Sequence, residues 1–423
     1  MRRTVSFFVL SSALSLGQAH AADLGVPRMP VAAEVSMPGF SWTGVYLGLH
    51  AGYGFANTSI SVPGTFSFSG IGSNGWQVGG RIGGDYQFAQ RWVVGALAEG
   101  NLSGIDTVIS QAGATAKISG DRRWALRARL GFLLTPETML YATGGWSQGH
   151  IGISGFGGNA GLTTSGWQIG GGIETRIAGN WFAHAEYIHT YSNAIGQFQP
   201  LSVRPSLGTA RVGLSYRFGF GPAQPGFAAP RRADWTGFYA GVQGGYGFGN
   251  TTLSVPGAFG FRGIGSQGLF AGVIGGYDHQ FAGTSIVAGL EADISISTVK
   301  TAINIGGLGV SIGSDWNAGV RARLGYVMGG SIMPYVMAGY GWTHVNFSVP
   351  GVNAGLSTAG LQVGAGVETM LTTNLALRAD YIYQFGTSRE IAAPLTGRID
   401  AGRARVGLTW KFGGEEVPVS ARY

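Results

Sequence analysis

Residues 124–132 read WALRARLGF, and the alternation in them leaves few folds open. Trp124, Leu126, Ala128, Leu130 and Phe132 share one parity; Arg127 and Arg129 share the other. A period of two belongs to a β-strand, whose successive side chains point to opposite faces. One face is therefore wholly apolar, and the other carries two guanidinium groups. NAGVRARLGY at 317–326 places Arg321 and Arg323 in the same way.

Such a strand needs grease on one side and a home for fixed charge on the other. Hydrophobic residues make up 45% of the chain and charged residues only 11%, which is lean in charge for a soluble protein. After residue 21 no uncharged apolar run reaches the roughly eighteen residues of a membrane helix. Apolar surplus without helical spans fits a transmembrane β-barrel, in which lipid-facing and lumen-facing residues alternate. An arginine on the lipid face near the midplane costs about 2–4 kcal/mol. A register slip exposing all four would cost on the order of 10 kcal/mol, comparable to a domain's whole stability. The arginines must face a lumen.

The chain is written twice. WTGVYLGLHAGYGFAN at Trp42 returns as WTGFYAGVQGGYGFGN at Trp235, and ARVGLSYRFG at Ala210 returns as ARVGLTWKFG at Ala404. The spacing is 193 residues at the start and 194 at the end, so little was inserted or lost. Each copy has the size of a domain. The organisation expected is a first barrel at 40–218, a proline-rich linker at 219–232 and a second barrel at 233–413. A periplasmic segment at 22–39 precedes them, and a tail at 414–423 follows.

Alternation predicts eight strands per copy. In the first they lie near 42–55, 76–88, 91–102, 122–134, 139–152, 164–177, 180–192 and 207–218. Long links at 56–75, 103–121, 153–163 and 193–206 alternate with tight turns, as outer loops alternate with periplasmic turns in outer-membrane barrels. Aromatics gather at both strand ends, as two membrane girdles would require: Trp42, Phe88, Phe132, Tyr141, Trp181, Tyr216 and Phe218 at the turn end, and Phe55, Trp76, Trp124, Trp146 and Tyr191 at the other. The fold expected is all-β, two tandem eight-stranded antiparallel up-and-down transmembrane barrels; the alternative is one sixteen-stranded barrel.

Parity then sorts the charges. Glu99, Arg127, Arg129, Glu174, Glu186 and Arg211 fall on the lumen side of the first copy. Glu99 does so on the assumption of a β-bulge in GALAEGN relative to AGLEAD. The second copy supplies Glu291, Asp293, Arg321, Arg323, Glu368, Arg378, Asp380 and Arg405. Eight strands enclose just enough room for side chains, and opposite charges confined there should pair. A charge-paired plug is expected; a selectivity ring around an open pore is the alternative.

Met1-Arg2-Arg3, the apolar run to Leu16 and Ala19-His20-Ala21 make residues 1–21 a secretory signal peptide. The absence of cysteine excludes disulfides and thiolate metal sites. The net charge of +7 is carried by scattered arginines without a basic stripe, which argues against nucleic acid. The glycine-rich opening of each copy lacks the following helix that a phosphate loop needs. No catalytic or metal-ligating set is expected, and the chain is read as a non-enzyme.

Together, FSWTGVYLGLHAGYG, RARLGF, LYATGGW, GWQIGGGIE, AEYIHTY and the last strand ARVGLSYRF resemble the porin-family outer-membrane surface antigens of alphaproteobacteria, within the opacity-type/OmpA-like eight-stranded barrel superfamily. The resemblance implies an integral outer-membrane protein of a Gram-negative bacterium with periplasmic termini and a structural or surface role in the envelope. Its partners would be outer-membrane lipid, lipopolysaccharide and the barrel-assembly machinery. A porin-like passive channel for small solutes is the alternative function. Hemin is bound by some relatives, and His150 and His344, equivalent positions on the fifth strands, are the candidate ligands. The family usually has one barrel ending at its terminal aromatic; this chain is duplicated and continues past Phe412.

Overall fold

The computed structural model describes residues 41–111, 114–155, 158–195, 200, 202–219, 232, 234–256, 258–305, 308–392 and 394–413. The signal peptide, the 22–39 segment, the tail at 414–423 and most of the linker lie outside the described residues. The first copy forms β1 (Gly44–Val62), β2 (Phe66–Phe88), β3 (Trp92–Gln111), β4 (Ala114–Thr135), β5 (Thr138–Gly155), β6 (Gly158–Ala178), β7 (Trp181–Ser192) and β8 (Ser202–Gly219). Each pairs antiparallel with the next, and β8 returns to β1 from Gly44↔Gly219 to Ser61↔Ser202. The ring is closed.

The second copy forms β9 (Gly237–Val255), β10 (Phe259–Gln280), β11 (Ile286–Ser297), β12 (Lys300–Ile305), β13 (Leu308–Tyr326), β14 (Ile332–Val349), β15 (Val352–Met370), β16 (Leu375–Gln384), β17 (Arg389–Ala392) and β18 (Leu395–Lys411). Its third and seventh staves are each broken in two, so ten strands make eight staves. β18 pairs with β9 from Thr396↔Ser254 to Lys411↔Tyr239. Two separate closures exclude the sixteen-stranded alternative: in a fused barrel β8 and β18 would have to bond each other's partners instead.

Parity works as sequence alternation requires. Val45, Leu47 and Leu49 are 45%, 51% and 73% exposed, while Tyr46 between them is fully buried. Apolar side chains are likewise exposed on every strand of the first barrel and on most of the second, and form the belt that a lipid phase covers. At the turn end, Ala89 and Gln90 both take positive φ, which lets a two-residue turn follow the twist of β2 and β3.

Three expectations need correction. The links read as long loops at 56–75, 103–121 and 153–163 are mostly continued strand, so staves reach 18–23 residues where about ten cross a bilayer. Serine, threonine and isoleucine around Pro63-Gly64 favour extended pairing even where the apolar alternation lapses. Secondly, Glu99 needs no bulge: β3 pairs with β4 without a shift from Trp92↔Phe132 to Leu102↔Arg122. Thirdly, Trp42 and Tyr141 are not girdle residues but buried ones, and Phe55 is covered by the second barrel.

Candidate functional site

In the first barrel, two tiers of charge cross the lumen. Nearer the turn end, Glu174 accepts from Arg129 at 2.8 Å, Arg217 at 2.9 Å and Arg81 at 3.3 Å. Asp85 accepts from Arg129 Nε at 2.8 Å and Arg217 at 2.7 Å. Nearer the hairpin end, Glu99 pairs with Arg127 and with Arg211 at 2.7 Å, and Glu186 with Arg211 at 2.8 Å and Arg127 at 3.4 Å. These groups come from β2, β3, β4, β6, β7 and β8, so the network ties the wall across its diameter.

Aromatic rings complete the first plug. The Arg129 guanidinium lies 4.6 Å from the Tyr46 ring centre and 5.3 Å from that of Tyr141. Arg217 lies 4.5 Å over Trp42. Trp42 packs edge-on against Phe182 at 5.0 Å and donates its indole N–H to Pro136 O. With Val93, Leu133 and Met139 these rings form a buried apolar floor under the charges.

The second barrel repeats the plan with different parts. Arg323 joins Asp278 through Nε at 2.7 Å and Glu368 at 2.9 Å, and Lys411 reaches each of those acids at 3.0 Å. Above them, Glu291 accepts from Arg378 at 2.7 Å, Arg321 at 3.0 Å and Arg405 at 3.2 Å. Asp293 pairs with Arg321 and with Arg405 at 3.4 Å, and Asp380 with Arg405 at 2.5 Å and Arg378 at 2.9 Å.

The structure therefore places all fourteen residues that parity put on the lumen side inside the two networks. It adds five that were missed: Arg81, Asp85, Arg217, Asp278 and Lys411. The signal was present. Arg81 and Asp85 alternate with Val78, Ile82 and Tyr86, and Arg217 and Lys411 each sit between two aromatics of a closing strand. Taking a partnered charge from water into such a space costs several kcal/mol per ion, recovered only when every ion is matched. Each acid here holds at least two cations.

His150 and His344 stand on the outer walls of β5 and β14, not in a lumen. His150 Nδ1 is 3.0 Å from Asp121, and His344 Nδ1 is 3.0 Å from Ser357 Oγ, its ring stacked 5.8 Å from Trp316. A Cβ added at Gly161 or Gly355 would come within 2.7 or 2.6 Å of the corresponding Nε2, so that nitrogen rests on the neighbouring strand. Either ring would have to turn before a nitrogen could meet iron. The pair does not fit hemin as it stands.

A closed antiparallel barrel with an apolar outer belt, aromatic girdles and a charge-filled interior defines a transmembrane β-barrel protein, here in duplicate. The pattern of the outer membrane protein beta-barrel domain matches residues 9–218 and again 223–412, and the chain belongs to that family. It is similar to the 31 kDa outer-membrane immunogenic protein of Brucella melitensis, 31% identical over 49% of this chain and 96% of the relative. The 25 kDa outer-membrane immunogenic protein of Brucella canis is 32% identical over 52% of this chain and its own whole length. The 22 kDa outer membrane protein of Rhizobium leguminosarum bv. viciae is 30% identical over 42% and 78%. Among solved structures, the attachment invasion locus protein Ail of Yersinia pestis covers 42% of this chain and 99% of its own, at 20% identity and a TM-score of 0.25. This is an outer-membrane protein of a Gram-negative bacterium, and one relative's length corresponds to one of its two repeats.

Proposed function

We propose that the chain acts as a structural, surface-displaying component of the outer membrane, without catalysis and without passing solute. Two anchored barrels hold a shared set of hairpins outside the cell, with the tight turns and both termini on the periplasmic side. The exposed belt meets lipid, the girdle of Trp76, Trp124, Trp146 and Trp167 meets the lipopolysaccharide leaflet, and the assembly machinery inserts the two rings.

The observation carrying this reading is the plug. Arg129, Asp85 and Glu174 span the first lumen and Arg323, Asp278 and Glu368 the second, all fully or nearly fully buried, over an apolar floor. Moving an ion past them means breaking matched pairs in a confined space, at about 3–5 kcal/mol for each partner removed. The full chain reconstituted in planar bilayers is expected to give no stable conductance steps. Long-lived, porin-sized steps would overturn the proposal in favour of the channel.

A further inference from the structure

The two barrels touch, and they touch at matching places. Ile71 on β2 pairs with Ile264 on β10, which is its own counterpart in the other repeat. The tip of β10 pairs with β3, from Phe259↔Gln111 to Arg262↔Val108. Its counterpart, the tip of β2, pairs with β12, from Phe66↔Ile305 to Phe68↔Ile303. Phe55 stacks on its counterpart Phe248 at 5.6 Å with the rings 14° apart. Tyr53 meets Tyr383 at 5.3 Å, and the matching pair Tyr246 and His189 meets at 5.2 Å.

The glycines obey the same exchange. A Cβ on Gly72 would lie 2.5 Å from Gly265 Cα, and one on Gly265 would lie 2.6 Å from Gly72 Cα. Each of the two also lies against the other repeat's asparagine: a Cβ on Gly72 would be 3.2 Å from Asn250 Oδ1, and one on Gly265 would be 3.2 Å from Asn57 Oδ1. Gly402 makes room for the Phe55 ring, and Gly208 for that of Phe248. A contact in which i meets j and j meets i is isologous, the mark of a closed two-fold pair of identical subunits. Tandem domains joined only by a linker have no need of it. It also gives a physical reason for hairpins 57–75 and 250–268 agreeing at 13 of 19 positions: each must fit a near-copy of itself.

We infer that the hairpin face of each repeat is a self-complementary docking surface whose partner is a second copy of the same barrel. The tandem chain is that pair made permanent by residues 219–232. A single repeat carries everything the contact needs: the β1–β2 hairpin, the β3 edge, Phe55, Gly72 and Gly208.

Cysteine trapping tests this, because the chain contains none of its own. Residues opposite each other in an antiparallel pair sit about 4.5–5.5 Å apart, within disulfide reach. In the full chain, Ile71→Cys with Ile264→Cys should link within one molecule, and the halves should stay joined after cleavage at a protease site placed in the linker. The decisive experiment is residues 1–219 with Ile71→Cys alone. That unit closes its own barrel, and relatives of its length stand alone.

A symmetric face brings position 71 of one copy to position 71 of the next, so an oxidised dimer forms; Leu126→Cys on the lipid wall is the control. Adding Gly72→Val should cut the yield about tenfold while the unboiled barrel still runs as folded on a gel. Folded single repeats that stay monomeric, or that link equally at 71 and 126, overturn the inference. Should the single repeat fail to fold, the full chain with the 57–75 sequence replaced by that of 250–268 decides instead, in the double-cysteine background. Unchanged linking supports self-complementarity, and a roughly tenfold fall refutes it.

Discussion

The two barrels solve one problem with different residues. Five elements of the plug are common to both: the tyrosine pair Tyr46/Tyr141 and Tyr239/Tyr335, the acid Asp85 or Asp278 on the second stave, the arginine pair on the fourth, the single acid Glu174 or Glu368 on the sixth, and Arg211 or Arg405 on the closing strand. Around them the parts change. The first barrel takes a cation from β2, Arg81, and has His184 on β7. The second has Ile274 at the matching place on β10 and Arg378 on β16. Glu291 in the second stands where the first has Leu97, while Lys411 stands for Arg217. What is held constant is the matching of charge across the lumen, not the identity or even the strand of the residue that supplies it. Burial of ions enforces that rule, since an unmatched charge costs more than any single pair gains.

The largest difference between the barrels should appear at the sixth-stave acid. Glu174 answers three arginines and Glu368 two cations. Arg129 and Arg217 keep Asp85 when Glu174 is lost, as Arg323 and Lys411 keep Asp278 when Glu368 is lost, but Arg81 is left with Glu186 at 4.0 Å and Ser215 Oγ at 2.7 Å. Glu174→Gln is expected to destabilise its barrel by about 5 kcal/mol and Glu368→Gln its own by about 3, the ends of the range for unpairing a buried ion. Guanidinium unfolding in detergent, scored by gel mobility for each half after linker cleavage, reads the two separately. Equal losses would break the comparison.

The exchange between Arg81 and Arg378 gives the next effect. Arg81→Ile copies the second barrel's residue without its compensation and is expected to cost about 3 kcal/mol. Adding His184→Arg restores a cation from the other side of the lumen, within reach of the acids that Arg81 served, and should recover more than half of that. Such a coupling across the ring is what a double-mutant cycle isolates. If His184→Arg makes Arg81→Ile worse, the two positions are not alternatives and the shared rule fails. Adding Leu97→Glu, which completes the second barrel's pattern, should sharpen the recovery further.

Much of this is legible in the residues themselves, for one reason. The membrane punishes a wrong-facing charge so heavily that strand parity alone locates Arg127, Arg129, Glu174, Glu186 and their counterparts. The staves follow from the same alternation. The five missed charges obey the rule too, on β2, β10 and the closing strands, where it was not applied. Hairpin pairing above the membrane is harder: the 57–75 segment has no lipid facing it, so its apolar alternation fades while its β-branched residues still pair. Trp42 could not be placed from its type, because an interfacial tryptophan and a plug-floor tryptophan look alike at a strand's first residue. Nor does either sequence copy announce its contact with the other; only their agreement in the hairpins, as close as that in the strands, hints at it.

The smallest expected effect tests where the two-fold exchange is imperfect. Arg262 on β10 reaches across to Asp106 on β3 at 3.1 Å, and Lys117 holds the same carboxylate at 2.9 Å. Ser69 occupies the position matching Arg262 and bonds backbone atoms of Ala302 instead. The charged bridge therefore exists on one side of the pseudo-axis only. Arg262 is 50% and Lys117 46% exposed, and solvent-exposed pairs contribute about 0–1 kcal/mol. Asp106→Asn should accordingly lower barrel pairing by less than about 1 kcal/mol, with what loss there is fading as salt screens the charges. Disulfide yield in the Ile71→Cys, Ile264→Cys background at low and high salt measures it. A large, salt-independent drop would mean that this one-sided bridge holds the barrels together, and that the paired backbones and the Phe55–Phe248 stack do not.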